Sequence, residues 1–155
     1  MRKLWLYFGP VSEMREVVEL YADGGARGNP GPAGIGAVVY DPSTSPPQVL
    51  ASVSETIGVA TNNVAEYRAM IAGLEIAANF PAQLLRVRSD SLLVIRQLQG
   101  VWKVKQVHLK PLHAQALALL RNTHAFDLDH VPREQNTEAD FLVNAALDAQ
   151  VEHER

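Results

Sequence analysis

Apolar positions in this chain change period along its length, and the changes divide it into elements. Residues 17–22 form an apolar, β-branched run that ends at Asp23, the pattern of a buried strand. Residues 24–34 are rich in glycine and proline and read as a tight loop. Residues 35–40 give a second strand. Residues 49–57 alternate, with Val49, Ala51 and Val53 on one face, and give a third. The period then lengthens. Ala65, Met70, Ala72, Leu74, Ile76 and Ala77 make the apolar stripe of a helix that ends near Asn79-Phe80-Pro81. A fourth strand is expected at 84–88, a short helix at 92–99 stopped by Gly100, and a helix from Lys110 to about Asn122 with Pro111 in its first turn. A fifth strand is expected at 126–131. The last helix begins at Thr137, capped by that residue or by Asn136, and runs to about Gln150.

Three strands in hairpin order, then strands alternating with helices, predict an α/β fold. Its mixed five-stranded sheet has three antiparallel strands followed by parallel ones, with helices on both faces. The organisation expected is an N-terminal extension at 1–15, with a short extra strand as its one candidate element, a single domain at 16–150 and a tail at 151–155.

Composition narrows the chemistry. The 155 residues are 47% hydrophobic and 20% charged, an ordinary globular balance. The absence of cysteine removes disulfides, thiolate catalysis, zinc ribbons and iron–sulfur clusters. The net charge of -3 is not the basic balance typical of nucleic-acid binding, although it says nothing of local charge. No run approaches the roughly 20 apolar residues of a membrane span, and the apolar stretch at 4–8 is short for a signal sequence. A cytoplasmic monomer without membrane contact is the expectation.

Four acids stand where function gathers in α/β sheets. Asp23 ends one strand and Asp90 follows another. Glu66 and Asp140 are each expected in the first turn of a helix. Carboxylates placed together repel, and a divalent cation relieves them; carboxylate oxygens with water suit Mg²⁺ or Mn²⁺. Taken singly, each acid also fits an ordinary role, Glu66 and Asp140 at a helix dipole and Asp23 and Asp90 in turns.

The blocks around these acids resemble a known family. Tyr21-Ala22-Asp23-Gly24-Gly25, followed by Gly28-Asn29-Pro30-Gly31-Pro32-Ala33-Gly34, is similar to the opening signature of type 1 ribonuclease H. Thr61-Asn62-Asn63-Val64-Ala65-Glu66, Ser89-Asp90-Ser91 and Asn136-Thr137-Glu138-Ala139-Asp140 resemble the next three blocks, in the family's order. The resemblance implies a ribonuclease H fold, cleavage of the RNA strand of an RNA·DNA hybrid, and Asp23, Glu66, Asp90 and Asp140 as ligands of two Mg²⁺ ions, with Mn²⁺ as the other candidate. It also implies that Thr61 holds a DNA phosphate and that Asn29, Asn62 and Asn63 reach groove edges and ribose 2′-hydroxyls. An amide both donates and accepts, as a 2′-hydroxyl does. The glycine-rich segment lacks the Gly-Lys-Ser/Thr ending of a phosphate loop; Gly31, Gly34 and Gly36 are expected to allow a tight turn and close packing.

Two segments depart from the commoner pattern. Where many members carry a histidine on a longer loop, this chain reads His130-Val131-Pro132-Arg133, like an archaeal-like and plant-like branch. That makes Arg133 the candidate for phosphate contact or product release, and His130 a structural residue. In place of a basic protrusion stands a short, locally positive segment at 99–110. There Lys103, Lys105 and Lys110 are candidate contacts to the DNA backbone, and Trp102 either lies against a sugar or packs in the core. Another nuclease or recombinase on the same fold, or a hybrid-binding module without catalysis, are the alternatives.

Overall fold

The computed structural model describes residues 3–6 and 13–154. The five expected strands are all present: β2 (Arg15–Ala26), β3 (Gly31–Asp41), β4 (Gln48–Ala60), β5 (Ala82–Ser89) and β6 (Phe126–His130). A further strand, β1 (Lys3–Leu6), pairs antiparallel with the free edge of β4 and makes the sheet six-stranded, in the order β1-β4-β3-β2-β5-β6. It realises the short extra strand considered for the N-terminal extension. The rest of that extension up to residue 12 lies outside the described residues. β2, β3 and β4 are antiparallel neighbours, and β2, β5 and β6 run parallel.

The helices are α1 (Asn62–Ala77), α2 (Leu92–Leu98), α3 (Lys110–Arg121) and α4 (Thr137–Glu154). The strand alternation decides what each face of the sheet buries. Val87, Leu20, Val39 and Ala51 lie in cross-strand register on four successive strands. They are buried in one cluster with Leu74, Met70 and Tyr67 of α1 and Leu120 of α3. The neighbouring positions, Tyr21 and Asp23, face the other way, towards α4. No helix among the described residues is long and apolar enough to cross a membrane.

Three local expectations are corrected. Residues 24–34 are not one loop: β2 continues to Ala26 and β3 starts at Gly31, leaving a turn of four residues. Gly24, Gly25 and Gly34 pair within the ladder, because glycine supplies backbone that helices can approach closely, as well as turns. The first helix begins earlier than its apolar stripe, at the Thr61 cap, so Glu66 sits in the second turn, away from the stabilising dipole end. The last helix runs through the expected tail boundary to Glu154. Gly100, in the left-handed region at φ 78°, stops the chain after α2 as expected.

The Thr61 cap yields a direct test. Its Oγ1 accepts from the Val64 N–H at 3.3 Å. Thr61→Ala should cost about 1 kcal/mol, a fall in melting temperature of roughly 2–4 °C for a chain of this size. Thr61→Ser should be close to neutral, and thermal unfolding by circular dichroism measures both.

Candidate active site

Neighbouring parallel strands deliver two of the acids. Asp23 lies on β2, and β5 pairs beside it as far as Ala22↔Ser89, so Asp90 follows directly at the strand's C-terminal end. The Asp90 backbone is held on both sides. Ser89 Oγ accepts from the Ser91 N–H at 3.0 Å, Ser91 Oγ caps α2 by accepting from Val94 N–H, and His130 Nε2 lies 3.2 Å from the Asp90 carbonyl oxygen. Glu66 comes from α1, which approaches β2 closely because Gly24 has no side chain: a Cβ there would sit 2.2 Å from the Ala65 carbonyl oxygen. The Gly24 N–H donates to Glu66 Oε1 at 2.5 Å, fixing that carboxylate at the strand.

Asp23, Glu66 and Asp90 each offer an oxygen, and these atoms all lie within 4.8 Å of one another. Asp140, in the first turn of α4, stands beside them, near enough to Asp23 to raise its pKa, and Arg133 Nη2 is 3.5 Å from Asp140 Oδ1. Burial and the charge of Asp90 push the Asp23 carboxyl up to about 7. Glu66 is likewise raised, first by burial and then by Asp23 and Asp90. Among the described residues, no lysine or arginine forms an ion pair with Asp23, Glu66 or Asp90. The acids of β6 contrast with them: Asp127 and Asp129 both pair with Arg88 Nη1, at 3.0 and 3.1 Å. The first group is a carboxylate set without a protein counter-charge, and the second is an ordinary surface network. A divalent cation held by carboxylates suits the first and has no place in the second.

The cluster opens into a cavity of about 370 Å³ that also takes in Asn62, Asn63, Arg133 and, from the β2–β3 turn, Arg27. Asn62 and Asn63 line it, and Asn29 is bonded to Asn62. Asn29 Oδ1 accepts from the Asn62 N–H at 3.0 Å, and Asn62 Oδ1 accepts from the Ala26 N–H at 2.9 Å. The turn is thereby locked to the start of α1, while among the described residues no protein group accepts from the two amide nitrogens. Thr61 Oγ1 accepts in the cap, which leaves its O–H to donate. Arg133 is exposed at the mouth. The segment with Trp102, Lys103 and Lys105 lies apart from this cavity, beyond α2. Trp102 is 43% exposed, so the core placement considered for it is not found.

Two groups at the site were missed from sequence. Asn136, 1% exposed, donates through Nδ2 to the Ala22 carbonyl oxygen at 2.9 Å and lies 3.4 Å from Asp90 Oδ1. It ties β2, Asp90 and the start of α4 together; its place four residues before Asp140 looked like a cap and nothing more. Arg27, on the β2–β3 turn, reaches Asp148 of α4 at 2.7 Å and Asn144 at 3.3 Å. No spacing rule joins residues so distant in sequence.

Comparison with known proteins agrees with this fold. The family model described as reverse transcriptase-like matches residues 21–146. The bifunctional protein Rv2228c of Mycobacterium tuberculosis is 51% identical over 136 residues, covering 88% of this chain and 36% of that protein. The solved N-terminal RNase H domain of Rv2228c, fused to maltose binding protein, superimposes with a TM-score of 0.82 at 48% identity, covering 90% of this chain and 99% of that one. Ribonuclease HI of Halobacterium salinarum is 44% identical over 131 residues, 84% of this chain and 64% of that protein. LC11-RNase H1, solved in complex with an RNA/DNA hybrid, gives a TM-score of 0.78 at 42% identity, covering 86% and 99% of the two chains. The fold and the carboxylate cluster define an α/β domain with a site suited to a divalent cation. The chain belongs to the ribonuclease H family. It spans about a third of the length of the mycobacterial relatives it matches, as the 36% coverage states.

Proposed function

We propose that this chain hydrolyses the RNA strand of an RNA·DNA hybrid endonucleolytically, leaving 5′-phosphate and 3′-hydroxyl ends. The observation that carries the reading is the Asp23–Glu66–Asp90 cluster, three carboxylates from three elements within 4.8 Å with no protein cation among them. The donor set fits a hard divalent cation such as Mg²⁺ or Mn²⁺. Asp23, Glu66 and Asp90, with Asp140 beside them, would hold two such ions. When bound, such ions lower the pKa of a water and offset charge on the departing 3′-oxygen.

The chain's own groups supply the rest. The Gly24 N–H and the α1 backbone hold Glu66 where one carboxylate oxygen can accept from an RNA 2′-hydroxyl. The amide nitrogens of Asn29, Asn62 and Asn63 would donate to ribose and groove-edge oxygens, reading RNA without reading its sequence. Thr61 and the positive start of α1 suit a DNA phosphate. Arg133 suits a phosphate of the cut strand, and its ion pair with Asp140 is exposed enough to exchange. Trp102, Lys103 and Lys105 lie one short helix away, where they can meet the DNA backbone. The His-Val-Pro-Arg segment at 130–133 resembles the archaeal-like and plant-like branch, and that likeness supports Arg133 in the role of the loop histidine. The hybrid bound by LC11-RNase H1 supports the substrate class.

The test is a panel of labelled duplexes of one sequence, incubated with Mg²⁺. The RNA strand of the hybrid should be cut at least 100-fold faster than RNA·RNA or DNA·DNA. Comparable cutting of DNA·DNA would instead assign the fold to a recombinase-type nuclease, and hybrid binding without cutting would assign it to a binding module.

A further inference from the structure

The basic segment after α2 has no regular structure of its own, so something must set its position. From residue 91 to 125 the chain holds five cations (Arg96, Lys103, Lys105, Lys110 and Arg121) and no acid. The rest carries nine cations and 17 acids, since five of the 14 lysines and arginines fall in this stretch. The net charge of -3 thus divides into +5 here and -8 elsewhere. Within this stretch Trp102 is 43% exposed and Val101 64%. An aromatic and lysines exposed together suit a sugar-phosphate backbone. In sequence, α2, about 10 Å long, lies between them and Asp90.

Beneath that segment lies a buried polar unit that the reaction as proposed does not use. Tyr67, 0% exposed and next to Glu66 on α1, donates its hydroxyl to Gln97 Oε1 at 2.5 Å. Gln97, 5% exposed on α2, donates through Nε2 to the Lys103 carbonyl oxygen at 3.3 Å. His113 of α3 donates from Nε2 to the Gln97 carbonyl oxygen at 3.0 Å, and its ring meets Tyr67 edge-on at 6.4 Å. Around it, the Val101 and Trp102 N–H groups both donate to the Arg96 carbonyl oxygen, and Val104 packs on the core. An apolar pair would fill the same volume without the cost of burying polar groups. What the polar pair adds is a directed bond to the backbone of Lys103.

The geometry points to Tyr67 and Gln97 as positioning residues for substrate affinity: a buried strut that links the helix bearing Glu66 to the backbone of Lys103 and holds Trp102, Lys103 and Lys105 in one docking geometry. This rests on the proposed hybrid substrate and adds to it a specific determinant of binding. The contribution is to affinity, not to the chemical step, because the strut ends on the loop and not on the acids.

The experiment compares the full chain with the Tyr67→Phe/Gln97→Met double variant, which removes the bonds without leaving an orphan hydroxyl. Gln97→Met alone is a second variant that keeps the Tyr67 ring in place. Steady-state cleavage of the hybrid should show KM raised about 5- to 10-fold with kcat within twofold. The slope of log affinity against log salt should flatten by about 1, the share of one phosphate contact. Lys103→Ala should raise KM in the wild type but less than twofold further in the double variant. A fall in melting temperature with unchanged KM and salt slope overturns the inference, since a merely structural pair behaves so. A lowered kcat at unchanged KM overturns it too, since the effect would then run through Glu66. If the wild type does not cut the hybrid, the functional reading fails, while direct hybrid binding by the same variants still decides the strut.

Discussion

Asp23→Asn is expected to abolish cleavage, lowering kcat by at least 10³-fold, and to make the metal-free protein more stable. Both effects follow from the same crowding. Asp23 is 7% exposed, and burial together with Asp90 raises its carboxyl to about 7. A group whose folded pKa lies above its unfolded value stabilises the fold below the unfolded value, and that contribution is lost as pH rises through the folded one. Without metal, the wild type should therefore lose stability between about pH 4 and pH 7. Asparagine removes the repulsion along with the charge. At pH 8 the variant should melt about 4–8 °C above the metal-free wild type, the equivalent of about 2 kcal/mol for a chain of this size. Added Mg²⁺ should raise the wild type by a similar amount and the variant by less, because the cation offsets the same charge. Scanning calorimetry at pH 5 and pH 8, with and without Mg²⁺, measures each term. A variant that remains active, or one that loses stability at pH 8 without metal, contradicts the assignment of Asp23.

Gly24→Ala is expected to be among the most damaging single-methyl changes in the described chain. A Cβ at that position would lie 2.2 Å from the Ala65 carbonyl oxygen and 2.7 Å from the Glu66 nitrogen. Both are backbone atoms, so no side chain can swing aside; α1 itself must move off β2. The cost should be about 3 kcal/mol, the upper part of the range for overpacking, and the melting temperature should fall by roughly 6–12 °C. The displaced helix carries Glu66, so hybrid cleavage should drop at least tenfold even at temperatures where the variant is folded. Gly25→Ala is the internal control. The nearest atom to a Cβ there is a Val143 methyl at 4.0 Å, and its stability should change by less than about 1 kcal/mol. Equal effects at the two glycines would mean that close approach of α1 is not what the first one provides.

The elements were legible where the apolar period was long and uninterrupted. The β2 and β5 runs alternate between core and partly exposed positions, while β3 and α1 are buried almost throughout, and short-range patterning reports both. The glycine-rich segment was misread because glycine marks both turns and backbone that another element approaches; only the position of α1 and α4 separates the two. Glu66 was placed one turn too early because the α1 start was read from apolar residues, while the polar cap at Thr61 sets it. The four acids were legible as blocks in order, but their convergence depends on which strands run parallel side by side, a property of the sheet and not of any local run. The Tyr67–Gln97 strut had no local signal. Tyr67 falls outside the apolar stripe read for α1, Gln97 lies unremarked in a short helix, and their bond spans 30 positions.

The most direct test of the account is cleavage of an RNA·DNA hybrid carrying separately labelled strands, with Mg²⁺ or with EDTA, in the wild type and in Asp23→Asn. The account predicts RNA fragments with 5′-phosphate and 3′-hydroxyl ends from the wild type with Mg²⁺, an intact DNA strand, and no cutting with EDTA or by the variant. Cutting that persists in EDTA or in Asp23→Asn, or RNA fragments with 2′,3′-cyclic ends, would contradict it, because the 2′-hydroxyl and not a water would then be the nucleophile.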